Sequence, residues 1–265
     1  MTYPSSKNSI ITLDDWLDTP LGEYIRAWEQ ERLDALTADI FGFNAVQIGF
    51  PKLHALRANR MQHRWLSDMR VPQPAEHGQA ANPHKASVIH DFGEIPFASQ
   101  SLDLVVLPHV LEFASEPHQI LREVERVLIP EGQVIISGFN PASLWGLRQA
   151  AGSVTGAHFL PEYAEFISLL RLQDWLKLLN LEVNRGHFGC YMPPCKSDKW
   201  LRRFSFMEKA GGRWWPYCGA VYMVQAIKRV KGMTLIGPSW VRKAPRVRQS
   251  LTITHKAPKS DHGKS

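Results

Sequence analysis

Ser101-Leu102-Asp103-Leu104-Val105-Val106-Leu107-Pro108 is the stretch that decides the fold. Its aliphatic and β-branched residues run almost without interruption, as a strand buried on both faces requires, and such strands belong to parallel sheets covered by crossover helices. Glu116-Pro117 downstream opens a helix, because proline's missing N–H falls among the donors left unpaired in a first turn. Ile120, Leu121, Val124, Val127 and Leu128 supply the buried stripe of that helix. Ile129-Pro130-Glu131-Gly132 reads as a type I turn, and Gln133-Val134-Ile135-Ile136-Ser137 as the next strand. Residues 102–137 are therefore strand, crossover helix, strand, with a right-handed crossover expected.

Working outward, Ser87-Val88-Ile89-His90 predicts a strand ending at Asp91, and Ala45-Val46-Gln47-Ile48-Gly49-Phe50 another, ending at a glycine before Pro51. A helical stretch is expected from there to about Asn59. Before it, Leu21, Tyr24, Ile25, Trp28, Leu33, Leu36 and Ile40 recur close to every 3.6 residues, which predicts an amphipathic helix. Residues 69–85 are polar and contain Pro72, Pro74, Gly78 and Pro83, so they read as a loop. Helical spacing returns over 166–179, and strands are expected at 181–183 and 218–226. This alternation predicts an α/β, doubly wound sheet.

A chain of 265 residues that is 44% hydrophobic can bury one sizeable core. No run of 18 apolar residues exists, which excludes an apolar helical membrane span. Asp14, Asp15 and Asp18 interrupt the beginning where a secretory signal needs an apolar run, so a cytoplasmic location is expected. Cys190, Cys195 and Cys218 cannot all pair within one chain, which fits a reducing compartment. They form no Cys-x-x-Cys pair, and no metal site is expected from them together with His187. Trp200, Trp214 and Trp215 read as packing residues rather than a base-stacking platform. The net charge of +6 is concentrated at the end: from position 228 on there are ten Lys or Arg and one acid. That segment reads as a basic, disordered tail, either simply solvated or binding an anionic partner such as nucleic acid.

Asp91-Phe92-Gly93-Glu94-Ile95-Pro96-Phe97, Ser101 to Val106 as quoted, His109-Val110-Leu111-Glu112, and Leu121-Arg122-Glu123-Val124-Glu125-Arg126-Val127-Leu128 together resemble the middle of class I methyltransferases of the type-11 group. The resemblance is weaker over Ala45 to Leu56. It implies a seven-stranded, mainly parallel Rossmann-like sheet with an antiparallel last strand. It further implies S-adenosyl-L-methionine as cofactor, lying across the carboxyl ends of the first strands, and methyl transfer to a small-molecule acceptor. By position it implies that Gln47, Gly49 and Phe50 form the cofactor loop, that Asp68 falls near the ribose, that Asp91 and Phe92 flank the adenine, and that Leu107 lies at the strand end facing the methyl group. His109 and Asn140 are the implied catalytic residues, orienting the acceptor. The loop is degenerate, since the family carries an acid where Gln47 stands and small residues where Phe50-Pro51-Lys52 stand. The alternative is therefore a non-catalytic methyltransferase-fold module that binds a partner or nucleic acid.

Each of these residues also has a plainer reading. Asp91 terminates a strand and can cap the next turn, Asp68 is a loop acid, and Asp103 binds backbone at a strand's start. His109 either removes a proton from a nucleophile or lines the pocket. Gly138-Phe139-Asn140-Pro141 either meets the acceptor or turns the chain, and it lacks the Asn-Pro-Pro-aromatic form of enzymes that methylate a flipped base. The expected organisation is an N-terminal helical extension over 1–44, a methyltransferase-like domain over 45–227 and the tail over 228–265.

Overall fold

Period-two burial along the strands decides how the layers stack. In the computed structural model, which describes residues 13, 16–69, 87–155, 165–193 and 206–230, seven strands form one sheet: β1 (Asn44–Ile48), β2 (His63–Asp68), β3 (Val88–Ile89), β4 (Leu102–Pro108), β5 (Leu128–Phe139), β6 (Leu181–Gly189) and β7 (Val221–Lys228). Their order is β3-β2-β1-β4-β5-β7-β6. β7 runs antiparallel to both β5 and β6, while the pairings among β1 to β5 are parallel. This is the doubly wound sheet that the strand pattern predicted, with the seven strands and antiparallel last strand that the resemblance implied. The sheet grows one way from β1 and the other way from β4, so a crevice opens between their carboxyl ends.

Alternate residues face opposite layers. Ala45, Leu104, Val106, Ile135 and Met223 pack with Leu33, Leu36 and Ile40 of and just beyond helix α1 (Pro20–Ala38). Val46, Val105, Leu107, Val134 and Ile136 join a cluster with Ile120, Leu121, Val124 and Val127. Those four belong to α3 (Pro117–Val127), which follows the single turn α2 (Val110–Phe113). Leu172 and Leu176 of α5 (Leu169–Leu178) enter the same cluster, and α4 (Leu144–Thr155) and α6 (Phe206–Trp214) complete the described helices.

Helix α1 is built into this core. Thr19 caps it, its hydroxyl accepting from the Gly22 N–H at 3.2 Å, and Pro20 occupies the first turn. Trp28 crosses Gly189 so closely that a Cβ there would lie 2.0 Å from the indole, so only glycine lets the helix meet β6. Tyr24 donates to Glu208 of α6, whose carboxylate also accepts the Cys190 and Tyr191 N–H groups.

Residues 51–59 are not helical: the described chain from Gly49 to Met61 makes turns. Side chains capture the backbone groups that a helix would pair. The Gln47 amide donates to the carbonyls of Gly49, Phe50 and Leu53 and accepts from the Ala55 N–H. The Gln30 amide exchanges hydrogen bonds with the His54 backbone, and Asn59 donates to the Thr37 and Ile40 carbonyls. Helix α1 is the scaffold for this connection. Asp103 accepts from the Phe43 and Asn44 N–H groups at 3.0 and 2.9 Å, so it serves the fold. β5 begins earlier than position 133, with an irregularity at Glu131, where φ is +64°. Residues 70–86, Cys195, Trp200 and the tail from position 231 lie outside the described residues. Among the described residues no helix is long and apolar enough to cross a membrane.

Candidate active site

The carboxyl ends of β1, β2 and β3 bring several of the expected cofactor residues together. Gly49 follows β1 with φ +76°, and a Cβ on it would lie 3.0 Å from a Val110 methyl and 3.2 Å from the Phe92 ring. Backbone conformation and space therefore both demand glycine there. Its N–H donates to the Ser67 carbonyl at 2.7 Å. Asp68 ends β2, buried, with Oδ1 accepting the Met69 N–H at 2.7 Å. Asp91, exposed, follows β3 and accepts the Gly93 N–H at 2.9 Å in a side-chain turn.

Between these strand ends and the turn after α2 lies a cleft of about 280 Å³, whose lining includes Met69, Asp91, Phe92, Ala114, Glu116 and Ile120. This is near the lower end for small-molecule sites, which span roughly 300–1,000 Å³. Its lining is mixed: Met69, Phe92, Ala114 and Ile120 are apolar, and Asp91, Glu94, Ser115, Glu116 and Gln119 are polar. Leu107 lies inside the sheet, fully buried, and does not line the cleft.

The other expected residues are occupied within the protein. Gln47 spends its amide on the loop, as described, and Phe50 is fully buried at φ +49° with its ring 6.1 Å from the His109 ring. The Asn140 amide donates to the Tyr217 and Gly219 carbonyls at 2.8 and 2.9 Å and accepts the Ala142 N–H at 3.0 Å. It ties the end of β5 to the approach to β7.

His109 sits at the corner between β4 and α2 in the left-handed region, φ +52°, and is fully buried. Its Nε2 lies 3.0 Å from Glu29 Oε1 of α1, and its Nδ1 2.9 Å from Glu112 Oε2. Burial alone would lower its pKa, but the charge of Glu29 and the hydrogen bond to Glu112 outweigh it and push it up to about 10. Burial raises the pKa of Glu112, although His109 and the Phe139 N–H, which donates to Glu112 Oε1, pull the other way. Held as an imidazolium, His109 offers no lone pair; to act as a base it must first pass its proton to Glu29 or Glu112.

Glu29, Glu112 and Met69 were not among the residues singled out from the sequence. Glu29 leaves a signal there: it falls between Ile25 and Leu33 on a row of every fourth residue that is otherwise apolar. His109 and Glu112 are three apart, which places both on one face of a helical turn. Met69 leaves none, since only the end of β2 makes it a lining residue. Among the described residues no group of three or more His, Cys, Asp or Glu is arranged to hold a metal.

Residues 67–136 match the family model described as a methyltransferase domain. That span contains Asp68, the cleft, β4 and His109, and begins after the Gly49 loop. Over those residues the chain is similar to the methyltransferase family. An S-adenosylmethionine-dependent methyltransferase from Thermotoga maritima has the same fold, with a TM-score of 0.53, 16% identity, and 78% of this chain and 95% of that one covered. Another, from Archaeoglobus fulgidus, gives 0.51, 16%, 77% and 94%. In sequence the chain is 29% identical to the uncharacterized protein YafS of Escherichia coli (strain K12) over 257 residues, 95% of each chain. An S-adenosylmethionine cofactor is tested by the residues present: the Gly49 turn, and the cleft that joins Asp91 to Met69, Phe92 and Ile120. On the nucleoside side they fit S-adenosylmethionine.

Proposed function

We infer that this methyltransferase moves the methyl group of S-adenosylmethionine to a nucleophilic oxygen, nitrogen or carbon of a small molecule. The observation that carries the reading is the cleft at the carboxyl ends of β2 and β3, within the methyltransferase-matched span and lined by Met69, Asp91 and Phe92. Phe92 and Met69 offer apolar surface to a planar base, and the Asp91 carboxylate offers acceptors to an exocyclic amine. Asp68 stands at the end of the neighbouring strand, where a hydroxyl-bearing sugar would lie. Gly49 lets the chain turn without a side chain in the crevice. When bound, the cofactor supplies an electrophilic methyl group on a positively charged sulfur.

The chain's own contribution is alignment and exclusion of water, which bring an acceptor and a methyl group to attack distance without a strong base. In this reading His109 holds the β4–α2 corner and Asn140 holds the end of β5. Calorimetric titration of the purified protein with S-adenosylmethionine and S-adenosylhomocysteine tests the reading. Micromolar binding of both is expected, and Asp91→Ala should weaken both about tenfold or more, the effect of losing a charge-assisted hydrogen bond. Unchanged binding by Asp91→Ala would remove the assignment of the adenine site.

A further inference from the structure

One face of α3 grips the backbone of the segment that follows β3. Gln119, Glu123 and Arg126 are spaced by four and three residues, which aligns them in a single row along the helix. The Gln119 amide donates to the Gly93 carbonyl at 3.1 Å, Glu123 Oε2 accepts the Ile95 N–H at 3.3 Å, and Arg126 donates to the Ile95 and Phe97 carbonyls at 2.9 and 3.0 Å. Successive side chains of one helix thus hold successive backbone groups between Gly93 and Phe97.

Of these bonds, the one from Gln119 to Gly93 joins two residues that both line the cleft. A Cβ on Gly93 would lie 3.2 Å from the Gln119 amide nitrogen, so the helix and the segment after β3 approach closely at this point. The other hydrogen bonds of the Asp91–Glu94 turn are local. Asp91 Oδ1 accepts the Gly93 N–H at 2.9 Å, and the Asp91 carbonyl accepts the Glu94 N–H at 3.0 Å and meets the His90 ring at 2.6 Å. They shape the turn without fixing where it stands. The buried Phe92 ring anchors one end of it, and Gln119 ties the other end to α3.

The turn offers a ligand one acceptor and one donor on adjacent residues. Among the described residues, Asp91 Oδ2 and the Phe92 N–H have no hydrogen-bond partner. A 6-aminopurine matches this pair with its amine and a ring nitrogen. A 6-oxopurine reverses both, setting a carbonyl against the carboxylate and an N–H against the Phe92 N–H, and polar groups left unpaired in a site are costly.

We propose that Gln119 is a positioning residue for cofactor selection: by holding the Gly93 carbonyl it fixes the Asp91–Phe92 edge that takes a 6-aminopurine and rejects a 6-oxopurine. This rests on the cofactor reading above. A ligand in the cleft shields the Gln119–Gly93 bond from water, which strengthens it. Without that bond the edge shifts, the aminopurine loses its alignment, and the oxopurine gains room to avoid its mismatches.

Calorimetry on the full chain with S-adenosylhomocysteine and its deaminated analogue S-inosylhomocysteine tests the assignment. The wild type is expected to prefer the amino form by about tenfold or more. Gln119→Met keeps the side-chain volume and removes the donor. It is expected to weaken S-adenosylhomocysteine about fivefold and S-inosylhomocysteine less than about twofold, so that the ratio falls. Equal weakening of both ligands, or a wild-type ratio in Gln119→Met, overturns the proposal, the latter by making packing rather than the hydrogen bond responsible. Should Gln119→Met not give a native circular dichroism spectrum, Gln119→Ala removes the same donor and carries the same expectation. Wild-type protein that binds both ligands equally overturns this inference and leaves the cofactor reading standing; wild-type protein that is folded but binds neither overturns both.

Discussion

A carboxylate at position 47 would meet three carbonyl oxygens, those of Gly49, Phe50 and Leu53, which the Gln47 amide now satisfies at 2.8 to 3.0 Å. Restoring the family's acid with Gln47→Glu is therefore expected to destabilise the fold by about 2–4 kcal/mol and to weaken cofactor binding rather than improve it. Denaturant unfolding checks the first outcome and calorimetry the second. His109 sets a pH dependence of the same local origin. Its folded pKa of about 10 lies above the unfolded value near 6.5, so the native state keeps a proton that the unfolded chain has lost between them. Its stabilisation is complete below about pH 6.5 and disappears as pH rises through 10. The melting temperature should fall between pH 7 and 9 in the wild type and fall less in His109→Gln; Tyr24, Tyr222 and Cys190 add to the decline only at higher pH. The sequence named Gln47 and His109 but not their partners, because a residue's type is local while the carbonyls and carboxylates around it come from loop and helix packing.

At the scale of elements, β4 was legible because Leu104 to Leu107 must be buried on both sides and the sheet satisfies that. Helix α1 was equally legible from its period, but not its destination: Leu33 and Leu36 against Leu104 and Val106, and Glu29 against His109, are contacts between distant segments. The expected helix over 51–59 failed for a complementary reason. Its residues are permissive for a helix, yet Gln47 takes the Leu53 carbonyl and the Ala55 N–H, and Gln30 the carbonyl and N–H of His54. A side-chain network assembled by tertiary contact overrode local preference, and it did so in the loop that carries Gly49. The same network ties that loop to α1 through Gln30 and the His54 backbone.

For the whole molecule, charge divides where the described residues end. Positions 231–265 contain eight Lys or Arg and one Asp, so a chain ending at Val230 changes from a formal +6 to −1. The sheet, both hydrophobic clusters and the cleft all lie before position 231. Deleting 231–265 is therefore expected to leave the affinity for S-adenosylhomocysteine within about twofold, since the lost charge is screened over about 10 Å at 0.1 M salt. An anionic polymer should respond differently. The full chain is expected to bind single-stranded or duplex nucleic acid without sequence preference, with affinity falling steeply as salt is added, because each phosphate contact releases a counterion. The shortened chain should lose most of that binding. Fluorescence anisotropy at roughly 50 and 200 mM salt measures both; nucleic-acid affinity that survives the deletion would locate the contact before position 231 instead, and affinity insensitive to salt would mean that the charge of positions 231–265 is not what binds.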